Sequence, residues 1–333
     1  KGHLINRVCV IGAGSWGCSI STVLHENGSD VTIYHHNPSF IDSLLLNRTH
    51  PRLPGIVINQ EIALTSDVND LENIDYLFVA VPTQSIRNLF KTINISSNTN
   101  IVSLSKGIEM ESYMLPSQII LDITGHDRAN VCCLSGPSHA EEVYKGIPTT
   151  VVVAGGNMTL NRNIQALLSS TNMRAYSNSD LLGVEIAGAI KNVISIASGM
   201  CIGLQFGDNT TAALITRGLN EISRLGKAIG AEESTFYGLA GIGDLSVTAF
   251  SEHSRNRKFG IEIGKGRDSK EVINEIGMVV EGYYTSKALH EMAINENVEM
   301  PISESVYKIL YENLSPKQAI IDLMNRELTH ENN

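Results

Sequence analysis

The stretch LINRVCVIGAGSWGCSISTVLHENG, residues 4–28, decides the fold. An apolar run, Leu4–Ile11, leads directly into Gly12-Ala13-Gly14-Ser15-Trp16-Gly17, and a helical pattern follows to Asn27 before Gly28 closes it. A bare G-x-G-x-x-G is a weak signal, but between a strand and a helix it is a strong one. Gly12 permits the tight turn, Gly14 lets the backbone approach a pyrophosphate, and Gly17 lets helix and sheet pack closely. Free N–H groups and the positive helix end at Ser15–Gly17 then receive the phosphate charge. The expectation is a dinucleotide held at Gly12–Gly17.

Working outward, further apolar runs at Asp30–His35, Tyr76–Val81, Ile101–Leu104, Val131–Leu134 and Thr149–Ala154 are mostly continuous rather than alternating, as strands buried on both faces are. Helical patterns lie between them near Ser39–Leu46, Gln84–Ile93, Met114–Ile123, Ser138–Lys145 and Asn161–Ser170. This alternation predicts a doubly wound, mostly parallel sheet. From about Leu181 the strand signal stops and helical patterns run at Leu181–Leu204, Thr210–Ile229, Lys258–Ile263, Ser269–Glu275, Tyr284–Asn295, Glu304–Glu312 and Pro316–Met324. Ser315-Pro316-Lys317-Gln318 carries the Ser cap, first-position Pro and third-position Gln of a helix start. The expected organisation is an α/β sheet domain over residues 1–180 and an all-helical domain over 181–333.

Bulk properties fit a two-domain globular protein of 333 residues, 42% hydrophobic and 18% charged. A formal net charge of -10 argues against a nucleic-acid partner, so an anionic small substrate would need a local cluster of Lys and Arg. The apolar stretch 183–204 contains Glu185 and Lys191, and its uncharged run is shorter than a membrane span requires, which predicts a buried core helix instead. The five cysteines show no metal-ligand spacing and read as buried thiols; no metal site is expected. No signal peptide precedes the first apolar run, Lys1-Gly2-His3 reads as foreign to a natural start, and the N-x-S/T triplets at Asn47, Asn94, Asn157 and Asn209 read as chance. The expected compartment is a reducing cytoplasm.

Four segments carry polar residues that a plain fold does not require. Ser103-Leu104-Ser105-Lys106-Gly107 and Ser135-Gly136-Pro137-Ser138-His139-Ala140-Glu141 each follow a strand at its carboxyl end, where open sheets bind ligands. Ser138 and Glu141 have capping-box spacing. Lys191-Asn192 lies within the apolar helix, where desolvation lowers a lysine's pKa toward the range useful for proton transfer. Gly238-Leu239-Ala240-Gly241-Ile242-Gly243-Asp244-Leu245 leads to Thr248 and to Ser254-Arg255-Asn256-Arg257; Asp244 could pair with Lys191, while Arg255 and Asn256 have donors for a phosphate. At the end of the second strand, His35-His36-Asn37 offers no acidic residue for a ribose 2′-hydroxyl, which tilts the cofactor toward NADP, with NAD possible.

The chain resembles the bacterial type of NAD(P)-dependent glycerol-3-phosphate dehydrogenase over essentially its whole length. The resemblance rests on GAGSWG (12–17), SKGIE (105–109), SGPSHAEE (135–142), AIKN (189–192), GLAGIGDL with Thr248 and SRNRKFG (238–260), and VVEG (279–282). It implies a Rossmann-like domain followed by a helical one, and reduction of dihydroxyacetone phosphate to sn-glycerol 3-phosphate for phospholipid synthesis. It further implies Lys191 as proton donor and acceptor. Substrate contacts would be Lys106, Gly136, Ser138, Lys191, Asp244, Ser254, Arg255 and Asn256. Cofactor contacts would be Ser15, Trp16, His36, Lys106, Ala140, Arg255, Val279 and Glu281, beside Gly12, Gly14 and Gly17 from the loop reading. A homodimer is expected on the resemblance alone. Two departures stand out, His139 where an aromatic such as Phe is common and Ala249 where Cys is common.

The chemistry agrees with this expectation: Lys191, oriented by Asp244, would neutralise charge developing on a ketone oxygen, and Arg255 and Asn256 would hold a remote phosphate. Lys106, Lys191, Arg255, Arg257 and Lys258 would supply the local positive field. Two other readings compete, a 3-hydroxyacid dehydrogenase of related architecture, which would bind a carboxylate, and a non-catalytic dinucleotide sensor.

Overall fold

The computed structural model describes residues 5–328, 330 and 331; Lys1–His3 and Leu4, assigned above to the first strand, lie outside them. The first strand, β1 (Arg7–Ile11), is followed by β2 (Asp30–Tyr34), β3 (Ala63–Thr65), β4 (Tyr76–Val79), β5 (Asn100–Ser103), β6 (Val131–Ser135), β7 (Thr149–Ala154) and β8 (Met173–Asn178). They form one sheet in the order β3-β2-β1-β4-β5-β6-β7-β8. All neighbours are parallel except β6 and β7, which pair antiparallel. Strand order reverses direction between β1 and β4, so the crevice for a ligand opens at the carboxyl ends of those two strands.

The continuous apolar runs have the structural cause expected of them. Val8 and Val10 face one core layer with Ile20, Leu24 and Phe78, while Cys9 and Ile11 face the opposite layer with Ile86, Phe90 and Ile119. Successive side chains of a strand point to opposite faces, so a strand covered by helices on both sides must be apolar at every position. The five cysteines are buried free thiols.

Two strands escaped the sequence reading, β3 and β8. The first has only three residues; the second is an edge strand in which Met173 and Ala175 are buried while Arg174 and Tyr176 are exposed, so it lacks an apolar run. The capping box at Ser138 also fails. The helix there runs Ala140–Tyr144 with His139 at its N-cap, and the Ser138 hydroxyl donates instead to the Gly136 carbonyl at 3.0 Å. Gly136 has φ +117°, a left-handed turn that delays the helix start. The start signal at Ser315 holds: its Oγ accepts from the Gln318 N–H at 3.1 Å, with Pro316 in the first turn.

The long helix Leu181–Gly203 begins two residues after β8 and is the axis of the helical region, with every residue from Gly183 to Cys201 buried. Its length and composition would suffice to cross a membrane, yet 89% of its most apolar window is buried inside the fold. The helix Arg255–Gly264 crosses it with backbone against backbone. A Cβ at Gly199 would lie 2.2 Å from the Arg257 carbonyl oxygen, and one at Gly260 would lie 2.1 Å from that of Ile196. Gly203 and Gly264 repeat this one turn on. The two G-x-x-x-G spacings, 199–203 and 260–264, permit that closeness because nothing projects between the helices. This contact fixes Ser254–Asn256 beside Lys191 and Asn192.

Candidate active site

The glycine loop occupies the turn between β1 and the helix Ser15–Glu26. Gly12 has φ +108°, and a Cβ on it would lie 2.3 Å from the Ala80 carbonyl oxygen at the end of β4. A Cβ on Gly17 would lie 1.9 Å from the Gly12 carbonyl oxygen. Gly14 differs: a Cβ there meets no atom of the described residues within 4 Å. Packing of the protein therefore explains two of the glycines and leaves Gly14 as a cradle open to an approaching ligand. Gly14 is also the helix N-cap and supplies no side-chain cap, so the first-turn N–H groups have no such partner. The residues present fit a dinucleotide pyrophosphate.

A segment the sequence reading did not single out supports this loop. His50 is buried, with its Nε2 3.0 Å from the Ala13 carbonyl oxygen. Leu53 and Ile56 pack with Ala140 against Trp16 and Tyr144, and the Tyr144 hydroxyl bonds both backbone groups of Val57. Its turns and scattered apolar residues carry no periodicity that would have marked it. At the end of β2, His36 is exposed and lies against His35, ring centroids 4.5 Å apart, and His35 Nδ1 accepts from the Asn37 N–H. Burial, reinforced by His36, lowers the His35 pKa and so disfavours a charge on that ring.

At the carboxyl ends of β5 and β6 the chain brings together groups that lie 138 and 53 residues apart in sequence. Asp244, 1% exposed, accepts from Lys191 Nζ at 2.7 Å through Oδ1 and from Lys106 Nζ at 2.6 Å through Oδ2. Lys191 also donates to Thr248 Oγ1 at 2.7 Å, and Lys106 to the Gly136 carbonyl at 3.2 Å. Sequence reasoning paired Asp244 with one lysine; the fold gives it two. Burial raises the Asp244 carboxyl, but the two ammonium groups outweigh it and hold the acid below its ordinary range. Burial pulls Lys191 down to about 8, with Asp244 opposing that drop and Lys106 adding to it. A lysine poised there exchanges a proton near neutral pH.

Asn192, one residue on, ties three segments together. Its Nδ2 donates to the Lys106 carbonyl at 3.0 Å, its Oδ1 accepts from Asn256 Nδ2 at 3.0 Å, and Asn256 Oδ1 accepts from the Gly282 N–H at 2.9 Å. The Asn256 side chain is thus largely committed within the protein. Ser254 caps the helix Arg255–Gly264, its Oγ accepting from the Arg257 N–H and lying 3.2 Å from Ser195 Oγ. Arg255 donates through Nη1 to the Val279 carbonyl at 2.8 Å and is otherwise exposed, leaving donors for a ligand. Arg257 is half-buried and Lys258 exposed on that helix, and neither pairs with Asp244. Glu281 Oε1 accepts from the Thr83 N–H at 2.8 Å, while burial, partly offset by Thr83 and Arg255, raises its carboxyl to about 7.

The sequence-assigned residues thus gather along one edge of the sheet and the facing end of the helical region. Gly12, Gly14, Ser15, Trp16 and Gly17 line the turn after β1; Lys106, Gly136, Ser138 and Ala140 follow β5 and β6; Lys191, Asp244, Ser254, Arg255, Asn256, Val279 and Glu281 face them. His36 stands at the end of β2, away from the lysine pair.

The chain is similar to known proteins over nearly its whole length. The description "NAD-dependent glycerol-3-phosphate dehydrogenase N-terminus" matches residues 7–161, and the corresponding C-terminus description matches 180–321. A glycerol-3-phosphate dehydrogenase [NAD(P)+] of Fusobacterium nucleatum is 44% identical over 325 residues, covering 96% of this chain and 97% of that one. One from Carboxydothermus hydrogenoformans is also 44% identical, over 98% of each chain. The crystal structure of glycerol-3-phosphate dehydrogenase from Coxiella burnetii superposes with a TM-score of 0.91 at 33% identity, covering 97% and 99% of the two chains. A ketopantoate reductase from Ralstonia eutropha, at 11% identity and a TM-score of 0.62, shares the fold alone. The two matching descriptions together span most of the sequence, and relatives 44% identical cover nearly all of it, so this chain belongs to the NAD(P)-dependent glycerol-3-phosphate dehydrogenase family.

Proposed function

We propose that this chain reduces dihydroxyacetone phosphate to sn-glycerol 3-phosphate, reversibly, with NADPH preferred and NADH accepted. The observation that carries the assignment of roles is the Lys106–Asp244–Lys191 cluster: one buried carboxylate holding two ammonium groups at the carboxyl edge of the sheet. The bound nicotinamide supplies the hydride. Lys191 gives a proton to the oxygen on which negative charge develops and takes it back in the reverse direction, a role worth about 10²–10⁴-fold in rate. Asp244 keeps Lys191 protonated enough to act and fixes its direction. Lys106 adds positive charge beside the same oxygen.

Arg255 and the N-terminus of its ten-residue helix receive the phosphate. Binding there orients the carbonyl at Lys191 and contributes remote binding energy to the reaction. His36 is exposed at the end of β2, and His35-His36-Asn37 places no acidic residue there to repel a 2′-phosphate, which favours NADPH. Residues 1–180 act as the cofactor domain and 181–333 as the substrate domain. A homodimer in the cytoplasm, supplying glycerol 3-phosphate for phospholipid head groups, completes the proposal.

The decisive measurement is cofactor oxidation with dihydroxyacetone phosphate and with unphosphorylated dihydroxyacetone, using NADPH and NADH in parallel. A strong preference for the phosphorylated ketone is expected. Equal rates with both ketones remove the phosphate role of Arg255, and no oxidation with either removes the whole reading.

A further inference from the structure

His139 has no role in the chemistry described so far, yet its surroundings are those of a ligand-facing group. It ends the loop that follows β6, residues 136–139, whose other three residues connect to the reacting cluster. Gly136 accepts from Lys106, Ser138 donates back to Gly136, and Pro137 packs beside Gly243, the residue before Asp244. The next residue, Ala140, is anchored to the cofactor side: its carbonyl accepts from Ser19 Oγ at 2.9 Å and its side chain packs with Leu53 and Ile56 near Trp16. His139 therefore sits where the sheet edge, the cofactor loop and the lysine cluster converge.

Its ring is 5.7 Å from that of His253, centroid to centroid. His253 belongs to the segment that turns through Ser254 into Arg255, so the imidazole of His139 spans from the Lys191 side of the cleft toward the proposed phosphate end. It is close enough to Lys191, Asp244, Glu141 and His253 to feel all four charges or partial charges. Burial first, then Lys191 and His253, disfavour its protonation against the opposing pull of Glu141 and Asp244, so the ring is neutral near pH 7.

The Nε2 atom of this ring is buried and has no hydrogen-bond partner among the described residues. Buried polar atoms in native proteins are nearly always paired, because an unpaired one keeps its full desolvation cost. Packing alone would favour an apolar ring at such a position. A neutral imidazole carrying its proton on Nε2 can instead donate to a ligand oxygen that reaches the cleft.

We propose that His139 is a specificity-determining residue of this enzyme, donating from Nε2 to an oxygen of the bound phosphorylated substrate. The inference rests on the proposed reaction and adds a contact to it. The chemistry also explains why the position holds His rather than the aromatic hydrocarbon expected from the family pattern: the ring volume is kept and a donor is added.

The test compares the full-length wild type with His139→Phe and His139→Gln. Phe keeps an aromatic ring without the donor, and Gln keeps a donor of similar reach. Steady-state kinetics give KM and kcat for dihydroxyacetone phosphate, and fluorescence of Trp16, the one tryptophan in the chain, gives the NADPH Kd. His139→Phe is expected to raise KM about tenfold, the scale of one lost hydrogen bond to a charged group. His139→Gln should return KM to within about threefold of wild type, with NADPH Kd unchanged in both variants. A KM for His139→Phe within twofold of wild type overturns the proposal. So does an equal rise in NADPH Kd, or a fall in kcat at constant KM in both variants, either of which marks a packing role. A wild-type enzyme inactive on dihydroxyacetone phosphate overturns the proposed function itself, a result separable from any behaviour of the variants.

Discussion

Replacing Asp244 by Asn tests the electrostatic logic of the site most directly. Asn keeps the size and one acceptor oxygen but removes the negative charge lying 2.7 Å from Lys191 Nζ and 2.6 Å from Lys106 Nζ. Coulomb attraction for a single pair at that separation is about 6 kcal/mol at an effective dielectric of ~20. Relaxation and residual hydrogen bonding reduce this, and removal of one member of a buried pair typically costs about 3–5 kcal/mol. Lys106 remains as an unneutralised neighbour that already disfavours the charged form of Lys191. The lower figure corresponds to a fall of roughly 2 pKa units. Wild-type Lys191 stands at about 8. Ketone reduction needs the protonated lysine, so kcat/KM in that direction should be high below pH 8 and fall as pH rises through it. Alcohol oxidation needs the neutral lysine and should rise through the same pH. In Asp244→Asn both inflections should move about 2 units or more to the acid side. Reduction at pH 7.5 should then fall at least tenfold, while a larger share of its rate is recovered near pH 5.5. Stopped-flow or steady-state NADPH oxidation between pH 5.5 and 9.5 measures this. An unmoved inflection, or an equal loss at every pH, would refute the assignment of Asp244 as the group that sets the lysine's charge.

Two structural predictions separate ligand binding from folding. Gly14→Val places a Cβ where no atom of the described residues lies within 4 Å, at φ −78° and ψ 178°, which valine tolerates. Thermal stability without cofactor should be unchanged while the NADPH Kd rises at least tenfold; an unchanged Kd removes the pyrophosphate from this loop. Gly199→Ala should do the opposite. Its Cβ would lie 2.2 Å from a backbone oxygen of the crossing helix, so the helices must part, at a cost of about 1–3 kcal/mol. The melting temperature should fall, and KM for dihydroxyacetone phosphate should rise as Arg255 shifts relative to Lys191, with NADPH Kd unaltered.

Much of this protein is legible along the chain because its signals are local. The run from Leu4 to Gly28 carries its own strand, turn and helix chemistry; Gly12 and Gly17 answer constraints within a few residues or on the adjoining strand, and Gly28 answers a positive φ. Strands covered on both faces advertise themselves as continuous apolar runs, and Ser315 announces its helix by a cap three residues long. Signals fade where structure depends on a neighbour. The edge strand β8 is half exposed and reads as irregular, and Ser138 has capping-box spacing but is turned back onto Gly136 by a left-handed glycine. The stretch after Gly243 shows no helical pattern in the sequence, although Asp244–Phe250 is a helix whose first residue is the buried carboxylate.

The sequence by itself determined that a sheet with a dinucleotide turn precedes a helical region, and it marked Lys191 as a lysine inside an apolar helix. Only the tertiary structure decided what that lysine meets. Asp244 serves Lys106 as well as Lys191, Asn192 joins Lys106 to Asn256, and His50 supports the glycine loop from a segment without any periodic pattern. Backbone chemistry acts over a few residues and leaves a periodic trace. Electrostatic pairing in a buried site acts through a few ångströms of space between groups up to 138 residues apart, and no period records it.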